Sequence, residues 1–211
     1  MVLQTPAKVD WQIVSTPPMS GADNMAYDLN TLRMIQNENH PPVLRFFHWS
    51  RPAVSYGKHQ SLDEICSLIP SGWDTVQRPT GGGLVFHGKD LCLSLCWSNG
   101  QPPLPTRLKD HYAWIHNVIM EALRPFAETR LANGRDCSTP SSPFAARDCF
   151  TKPVAFDVLR GRQKIVGGAL CRHKDTLLYQ GSIQYPAQEE LERQLGQAFR
   201  AAFGAPEETA R

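Results

Sequence analysis

The stretch Arg78-Pro79-Thr80-Gly81-Gly82-Gly83-Leu84-Val85-Phe86-His87 sets three consecutive glycines between a cationic side chain and a short apolar run ending on histidine. Glycine leaves backbone N–H groups open to a ligand, Arg78 brings positive charge, and His87 belongs to the residue type that titrates near neutrality. Such a stretch can cradle a carboxylate, a phosphate or a polarised acyl carbonyl. It matches neither common nucleotide loop, because Gly-x-x-x-x-Gly-Lys-Ser/Thr is absent and Gly-x-Gly-x-x-Gly is not completed. Taken by itself, the same stretch also reads as a tight turn between two strands. Cysteines at positions 66, 92, 96, 137, 149 and 171 are further reactive groups. They contain no Cys-x-x-Cys pair and no paired Cys/His spacing, so neither a zinc site nor a disulfide framework is indicated. Their ordinary reading is as small buried hydrophobes.

The loop needs strands to hold it. Trp73 to Gln77 reads as a strand leading into the glycines, with Val85 and Phe86 continuing beyond them. Leu91, Leu93, Leu95 and Trp97 then alternate with Cys92, Ser94, Cys96 and Ser98, which predicts a strand with two unlike faces. Cys92 and Cys96 share a face but stand too far apart, at roughly 3.3 Å per residue, to hold one metal ion. Upstream, Trp11 to Ser15 reads as a strand. Met25, Leu29, Leu32 and Ile35 mark an amphipathic helix from Gly21 to about Asn37, capped by Asp23 or Asn24. Val43 to Trp49 and Ala53 to Tyr56 follow as strands. Ser61 and Glu64 stand in capping-box register for a short helix through Leu68.

Downstream, a helix from Arg107 to Leu123 carries the stripe Leu108, Tyr112, Ile115, Ile119 and Leu123, with His111 and His116 as ordinary helix residues flanking it. Thr129 to Arg147 is loop-like and reads as a mobile segment. A three-stranded meander is expected over Val154 to Leu159, Lys164 to Cys171 and Thr176 to Gln184. Gly167-Gly168 interrupts its second strand, as glycines do at a bulge or where a ligand or backbone comes close. Gln188 to Phe203 reads as a helix, stopped at Gly204-Ala205-Pro206 and followed by a disordered tail over about 205–211.

The 211 residues are expected to form one domain spanning 1–211. Composition is that of an ordinary water-exposed chain: 41% hydrophobic, 20% charged, and a formal net charge of +2 that selects no class of partner. The two basic clusters, Arg160 to Lys164 and Arg172 to Lys174, are short and broken by turn residues, which argues against nucleic acid. No apolar run reaches the roughly 18 to 20 residues that span a bilayer, and no secretory pattern opens the chain. A cytoplasmic protein is expected.

Set in order, several blocks resemble the lipoate–protein ligase and octanoyltransferase family, whose catalytic domain is related to that of biotin–protein ligases. Asn24-Met25-Ala26-Tyr27-Asp28 is similar to the family's Asn-Met-Ala-x-Asp. The stretch from Pro52 to Gln60 resembles its strand and turn ending in Gly-x-x-Gln. Arg78 to His87 resembles Arg-Arg-x-Thr/Ser-Gly-Gly-Gly-x-Val-x-His, with Pro79 replacing the second Arg. Lys164-Ile165-Val166-Gly167-Gly168-Ala169 resembles Lys-Ile-x-Gly-Ser-Ala, with Gly168 replacing Ser. Gln180-Gly181-Ser182-Ile183 is similar to His/Gln-Gly-Ser-Ile. The deciding block is Ala146-Arg147-Asp148-Cys149-Phe150. Adenylating ligases resemble Gly-Arg-Asn-Asp at this place, whereas octanoyltransferases and lipoyl amidotransferases of the cysteine type carry Cys-Phe. The blocks end near the end of the sequence, and a catalytic domain without the accessory domain of many ligases is expected.

The resemblance implies an α+β fold, with mixed, mostly antiparallel sheets flanked by helices, like the biotin/lipoate protein ligase catalytic domain. It implies an acyltransferase that moves an octanoyl or lipoyl group through a Cys149 thioester to the lysine of a lipoyl carrier domain. Lys164 would contact the acyl carbonyl, and Arg78, Gly81, Gly82, Gly83, His87, Gly167, Gly168 and Ala169 would surround the substrate, with no metal ligands. The apolar slot for the acyl chain is expected along Val85-Phe86 and Ile165-Val166. Partners would be an acyl carrier protein or lipoylated donor domain, and as acceptor the glycine cleavage H protein or a 2-oxoacid dehydrogenase E2. No cofactor is needed on that route. An ATP- and Mg²⁺-dependent ligase core, acting through lipoyl-adenylate, is the alternative, and a non-catalytic relative binding a fatty acyl group or lipoyl carrier is a second.

Overall fold

The computed structural model of the chain describes residues 10–38, 40–105, 107–136, 149–186 and 188–204. In chain order the elements are β1 (Gln12–Ser15), α1 (Gly21–Glu38), β2 (Val43–Phe47), β3 (Ala53–Tyr56), α2 (Leu62–Ile65) running into a tight turn at Cys66–Leu68, β4 (Asp74–Gln77), β5 (Val85–His87), β6 (Leu91–Ser98), α3 (Leu108–Leu123), β7 (Arg130–Leu131), β8 (Val158–Arg160), β9 (Gln163–His173), β10 (Thr176–Ile183) and α4 (Gln188–Phe203). They build a seven-stranded sheet in the order β1-β2-β6-β10-β9-β8-β7 and a three-stranded sheet in the order β4-β3-β5. Among the strands of the described residues, only β1–β2 and β3–β4 pair in parallel. The fold is the expected α+β arrangement of mostly antiparallel sheets with flanking helices. None of the helices among the described residues is long and apolar enough to cross a membrane.

Alternation along the central strands sorts residues onto two covered faces. Leu93, Leu95, Trp97, Leu177 and Tyr179 join Ile115, Ile119, Leu195 and Phe199 in the main core, beneath α3 and α4. The other face is polar and small. Cys92, Ser94 and Cys96 stand opposite Ser182, Gln180 and Leu178 in register, and α1 and the small sheet cover them. The unlike faces expected of β6 are therefore both buried.

The polar face is held by one ion pair. Arg45 on β2 is fully buried, and its guanidinium lies 3.0 Å from the Asp28 carboxylate on α1 and also binds Asn24. Ser94 and Gln180 donate to the same carboxylate, each at 2.7 Å. Burial pushes the Asp28 carboxyl up, against the charge of Arg45 and these hydrogen bonds.

Three local expectations shift. Ser20, not Asp23 or Asn24, caps α1, its hydroxyl accepting the Asp23 N–H at 3.2 Å. Ser61 makes no side-chain cap bond to α2. The first meander strand starts at Val158, because Val154–Asp157 forms a turn. The Asp157 N–H donates to the Val154 carbonyl and the Val154 N–H to the Asp157 carboxylate, while Phe156 adopts φ +73°. Of the loop-like stretch from Thr129 to Arg147, the described part holds β7 and a turn at Asn133–Asp136; residues 137–148 and the tail 205–211 lie outside the described residues.

Removing one partner of a buried ion pair strands the other. Asp28→Ala is expected to cost about 3–5 kcal/mol, read as a fall in the urea unfolding midpoint. A loss under about 1 kcal/mol would show that the pair is dispensable.

Candidate functional site

A glycine loop has no side chains with which to anchor itself, so its position is set by its neighbours. Gly82 sits at φ +95°, a conformation that favours glycine. The turn after β3 packs directly against it: a Cβ on Gly57 would lie 2.1 Å from the Gly82 carbonyl oxygen, so only glycine fits there. The Lys58 N–H donates to the Thr80 carbonyl at 2.9 Å, and the Thr80 hydroxyl donates to the Gln180 amide oxygen at 2.8 Å. Gln180 in turn donates to Asp28, so the loop is tied through two buried side chains to α1.

Arg78 lies beneath the loop. Its guanidinium donates to the Ser55 carbonyl and hydroxyl, each at 2.7 Å, and to the carbonyls of Gly81 (3.1 Å) and Gly83 (2.7 Å). Those bonds make it the clamp that shapes the loop. Burial pulls its pKa below the ordinary arginine value, while charge on Cys149 and Cys92 would oppose that fall.

Cys149 faces the loop from the other side. Its N–H donates to the Leu84 carbonyl at 2.9 Å, and its sulfur accepts the Gly83 N–H at 2.9 Å. It is half-exposed, so the sulfur does not point into a sealed core. Lys164, at the start of β9, lies beneath it: Nζ donates to the Cys149 carbonyl at 2.8 Å, pairs with the Asp157 carboxylate at 2.8 Å, and sits 5.2 Å from the centre of the Phe150 ring.

His87 is buried and fully engaged. Its ring stacks on Trp49 at 4.1 Å, Nδ1 lies 2.7 Å from the Asp90 carboxylate, and Nε2 lies 2.6 Å from the Ser55 hydroxyl. A carboxylate can only accept, so Nδ1–H donates to Asp90. Burial alone would raise the Asp90 carboxyl, but the charge of His87 and hydrogen bonds from His87, Ser182 and Cys92 outweigh it and hold the pKa at about 2. His87, Asp90 and Cys92 bring ligand-type atoms within 4.8 Å of one another, but these atoms are spent on each other and on Ser55, Ser182 and Trp49. Cys92 is a poor candidate for a thiolate, since burial and then Asp90 drive its pKa well up.

Most of these groups border one narrow cleft. Cys149, Lys164, Arg78, Gly81, Gly82, His87, Gly167, Gly168 and Ala169 line it together; Gly83 reaches it through the N–H given to Cys149. The apolar wall differs from expectation. Val85 belongs to it, but Met25, Phe47 and Trp49 take the place of Phe86, Ile165 and Val166, the latter two pointing into the main core. Gly167 and Gly168 do not break the strand, since β9 runs through both. They make room for the protein's own side chains: a Cβ would lie 2.3 Å from Cε of Lys164 at Gly167, and 2.4 Å from the Tyr179 hydroxyl at Gly168.

Two residues at the site carried no sequence signal. Asp157 lies in an expected strand, and Tyr112 lies in an apolar helix stripe. The structure makes them neighbours, with the Tyr112 hydroxyl 2.6 Å from the Asp157 carboxylate. His116, one turn further along α3, is fully buried, with Nδ1 2.7 Å from the Phe156 carbonyl and Nε2 2.7 Å from the Tyr179 hydroxyl. A carbonyl can only accept, so Nδ1 carries the proton and Nε2 accepts from Tyr179.

Residues 20–205 match the model of the lipoyl protein ligase A/B catalytic domain family. The octanoyltransferase LipM of Carboxydothermus hydrogenoformans is 32% identical over 177 residues, covering 82% of this chain and 64% of the relative. That of Geobacillus kaustophilus is 31% identical, covering 88% and 69%. The chain thus spans about two thirds of the length of these relatives. Among solved structures, the T. acidophilum protein Ta0514, a putative lipoate protein ligase with bound lipoic acid, superposes with a TM-score of 0.69 at 18% identity, covering 93% of this chain and 87% of its own. At that identity the likeness concerns the fold.

Burial drives the His116 pKa down to about 3. A histidine that is neutral when folded but titrates near 6.5 when unfolded binds its proton preferentially in the unfolded chain. Stability from this group is therefore complete above about pH 6.5 and is lost as pH falls towards 3. The stability difference between the parent and His116→Gln is expected to shrink by roughly 1 kcal/mol per pH unit between pH 6 and 4 in urea titrations. A pH-independent difference would refute the assignment.

Proposed function

Because the chain belongs to the lipoyl protein ligase A/B catalytic domain family, we propose that it is an acyltransferase that passes an octanoyl or lipoyl group through a Cys149 thioester to the lysine of a lipoyl carrier domain. The observation that carries this reading is the Cys149 sulfur, half-exposed on the cleft and accepting the Gly83 N–H, with Lys164 beside it. The relatives named octanoyltransferases support it, as does Cys149-Phe150 standing where adenylating ligases resemble Gly-Arg-Asn-Asp.

In the first half-reaction the Cys149 thiolate attacks the thioester carbonyl of the donor. The new C–S bond forms, the donor's C–S bond breaks, and the carrier leaves as its thiolate. Thioester exchange is close to neutral in energy, so no nucleotide is needed. In the second, the neutral acceptor lysine amine attacks the acyl-enzyme, the C–N bond forms, the C–S bond breaks, and the amine's proton leaves on the Cys149 sulfur. Both carbonyls would carry developing negative charge, which the Lys164 ammonium and the loop amides would offset. The acyl chain would lie against Met25, Phe47, Trp49 and Val85. An acyl carrier protein, or an already lipoylated domain, is the fitting donor, and a lipoyl domain such as glycine cleavage H protein or a 2-oxoacid dehydrogenase E2 the fitting acceptor.

Incubation with octanoyl-carrier protein alone should add one octanoyl group to the enzyme by intact mass, labile to hydroxylamine and absent from Cys149→Ser. Transfer that appears only with free octanoate, ATP and Mg²⁺ would overturn this reading in favour of the ligase route. Bound octanoate or lipoate without transfer under either condition would point to a silent relative.

A further inference from the structure

Lys164 is more tightly fixed than a substrate-facing lysine needs to be. It is 5% exposed and its partner Asp157 is wholly buried. Asp157 takes three hydrogen bonds: from Lys164 Nζ at 2.8 Å, from the Tyr112 hydroxyl at 2.6 Å and from the Val154 N–H at 2.7 Å. Tyr112 also accepts the Gly168 N–H at 3.1 Å. It thereby satisfies an amide on the stretch of β9 that extends past the short β8, whose pairing ends opposite Val166. Gly167 completes the arrangement, since any Cβ there would collide with Cε and Nζ of the lysine. Around the ammonium stand the Asp157 carboxylate, the Cys149 carbonyl, the Phe150 ring and, behind them, a neutral His116 whose protonation Lys164 itself opposes. Asp157 is the anion of this set, and it is within contact distance of Nζ.

Resting on the acyltransferase reading, we propose that Asp157 and Tyr112 are positioning residues that hold Lys164 as a fixed cation beside Cys149. Lys164 then meets negative charge on the acyl carbonyl and takes no proton in the transfer step. The proton balance follows: the acceptor amine attacks the acyl-enzyme, the C–N bond forms, the C–S bond breaks, and the proton shed by the amine leaves on the Cys149 sulfur. The cation is unchanged across the cycle, as an electrostatic role requires. Tyr112 ties the same carboxylate to Gly168 on the cleft wall, so the charge and the wall that faces the acyl group keep one spacing.

The test uses the whole chain with octanoyl-carrier protein as donor and a lipoyl domain as acceptor. Asp157→Asn should lower kcat by about 100-fold with KM within about twofold, since an interaction felt only in the transition state is lost. Tyr112→Phe should lower kcat by about 10-fold, and the double variant should be no slower than Asp157→Asn alone, because both changes act through one lysine. Should Asp157→Asn fail to fold, Tyr112→Phe with a parental melting temperature decides alone. Parental kcat in Tyr112→Phe, a rise in KM in place of a fall in kcat, or losses that multiply in the double variant would overturn the inference. If the parent itself forms no Cys149 adduct, the acyltransferase reading fails; if it forms one and the variants match its kcat, only the positioning role fails.

Discussion

The structure depends on how three glycines are kept in place. A Gly-Gly-Gly run has the largest backbone entropy to lose and no side chains with which to recover it, so the ordering interactions must come from elsewhere in the chain. Arg78 supplies them from below through two loop carbonyls, the Gly57 turn by contact too close for a methyl group, and Gln180 through Thr80. Gln180 is itself fixed by Asp28, and Asp28 by Arg45. The buried polar face of the large sheet is thus a chain of side chains, each satisfied by the next, ending on the backbone that meets the Cys149 sulfur. Such networks stabilise only when complete, because an unpaired member in the low-dielectric interior costs more than a made bond returns.

Much of this was legible in the sequence. Periodicity placed α1, β6 and α3 because their apolar residues recur at the spacing of the faces they bury, and the resemblance of the six motif blocks implied the α+β fold. Cys149, Lys164 and the glycines were found as types in a pattern, and they do border one cleft. What was not legible came from contacts between distant segments. Asp157 and Tyr112 are 45 residues apart and meet only because α3 packs across the edge of β9. Arg78 has the residue type of an anion ligand, yet its guanidinium faces its own loop. Gly167-Gly168 has the composition of a strand break, but the nearby bulk that requires glycine belongs to Lys164 and Tyr179. Sequence shows that a small residue is required and does not show what crowds it.

Charge placement follows the same logic as packing. Arg78, Lys164, Asp28, Asp90 and Asp157 are all buried, and each finds its compensation within hydrogen-bond reach. Cys92 and Cys149 are the same residue type in opposite surroundings. One lies in the interior beside a carboxylate, which drives its pKa up, and the other is half-exposed at a backbone N–H. The chain thereby distinguishes an inert thiol from an available one with no difference in the side chain itself.

The alternation on β6 and β10 has one more consequence. Cys92, Ser94, Cys96, Leu178, Gln180 and Ser182 all carry even numbers, and Leu93, Leu95 and Tyr179 between them fill the hydrophobic core. The site is therefore written in parity. A single-residue insertion or deletion between β9 and β10 that shifted β10 by one step would send Tyr179 towards α1 and the cleft, and bury Gln180 and Ser182 against α3 and α4. Between these two strands, length can drift only in twos if the loop's anchor is to survive, which makes the tight turn at His173–Thr176 a counting device as well as a connection.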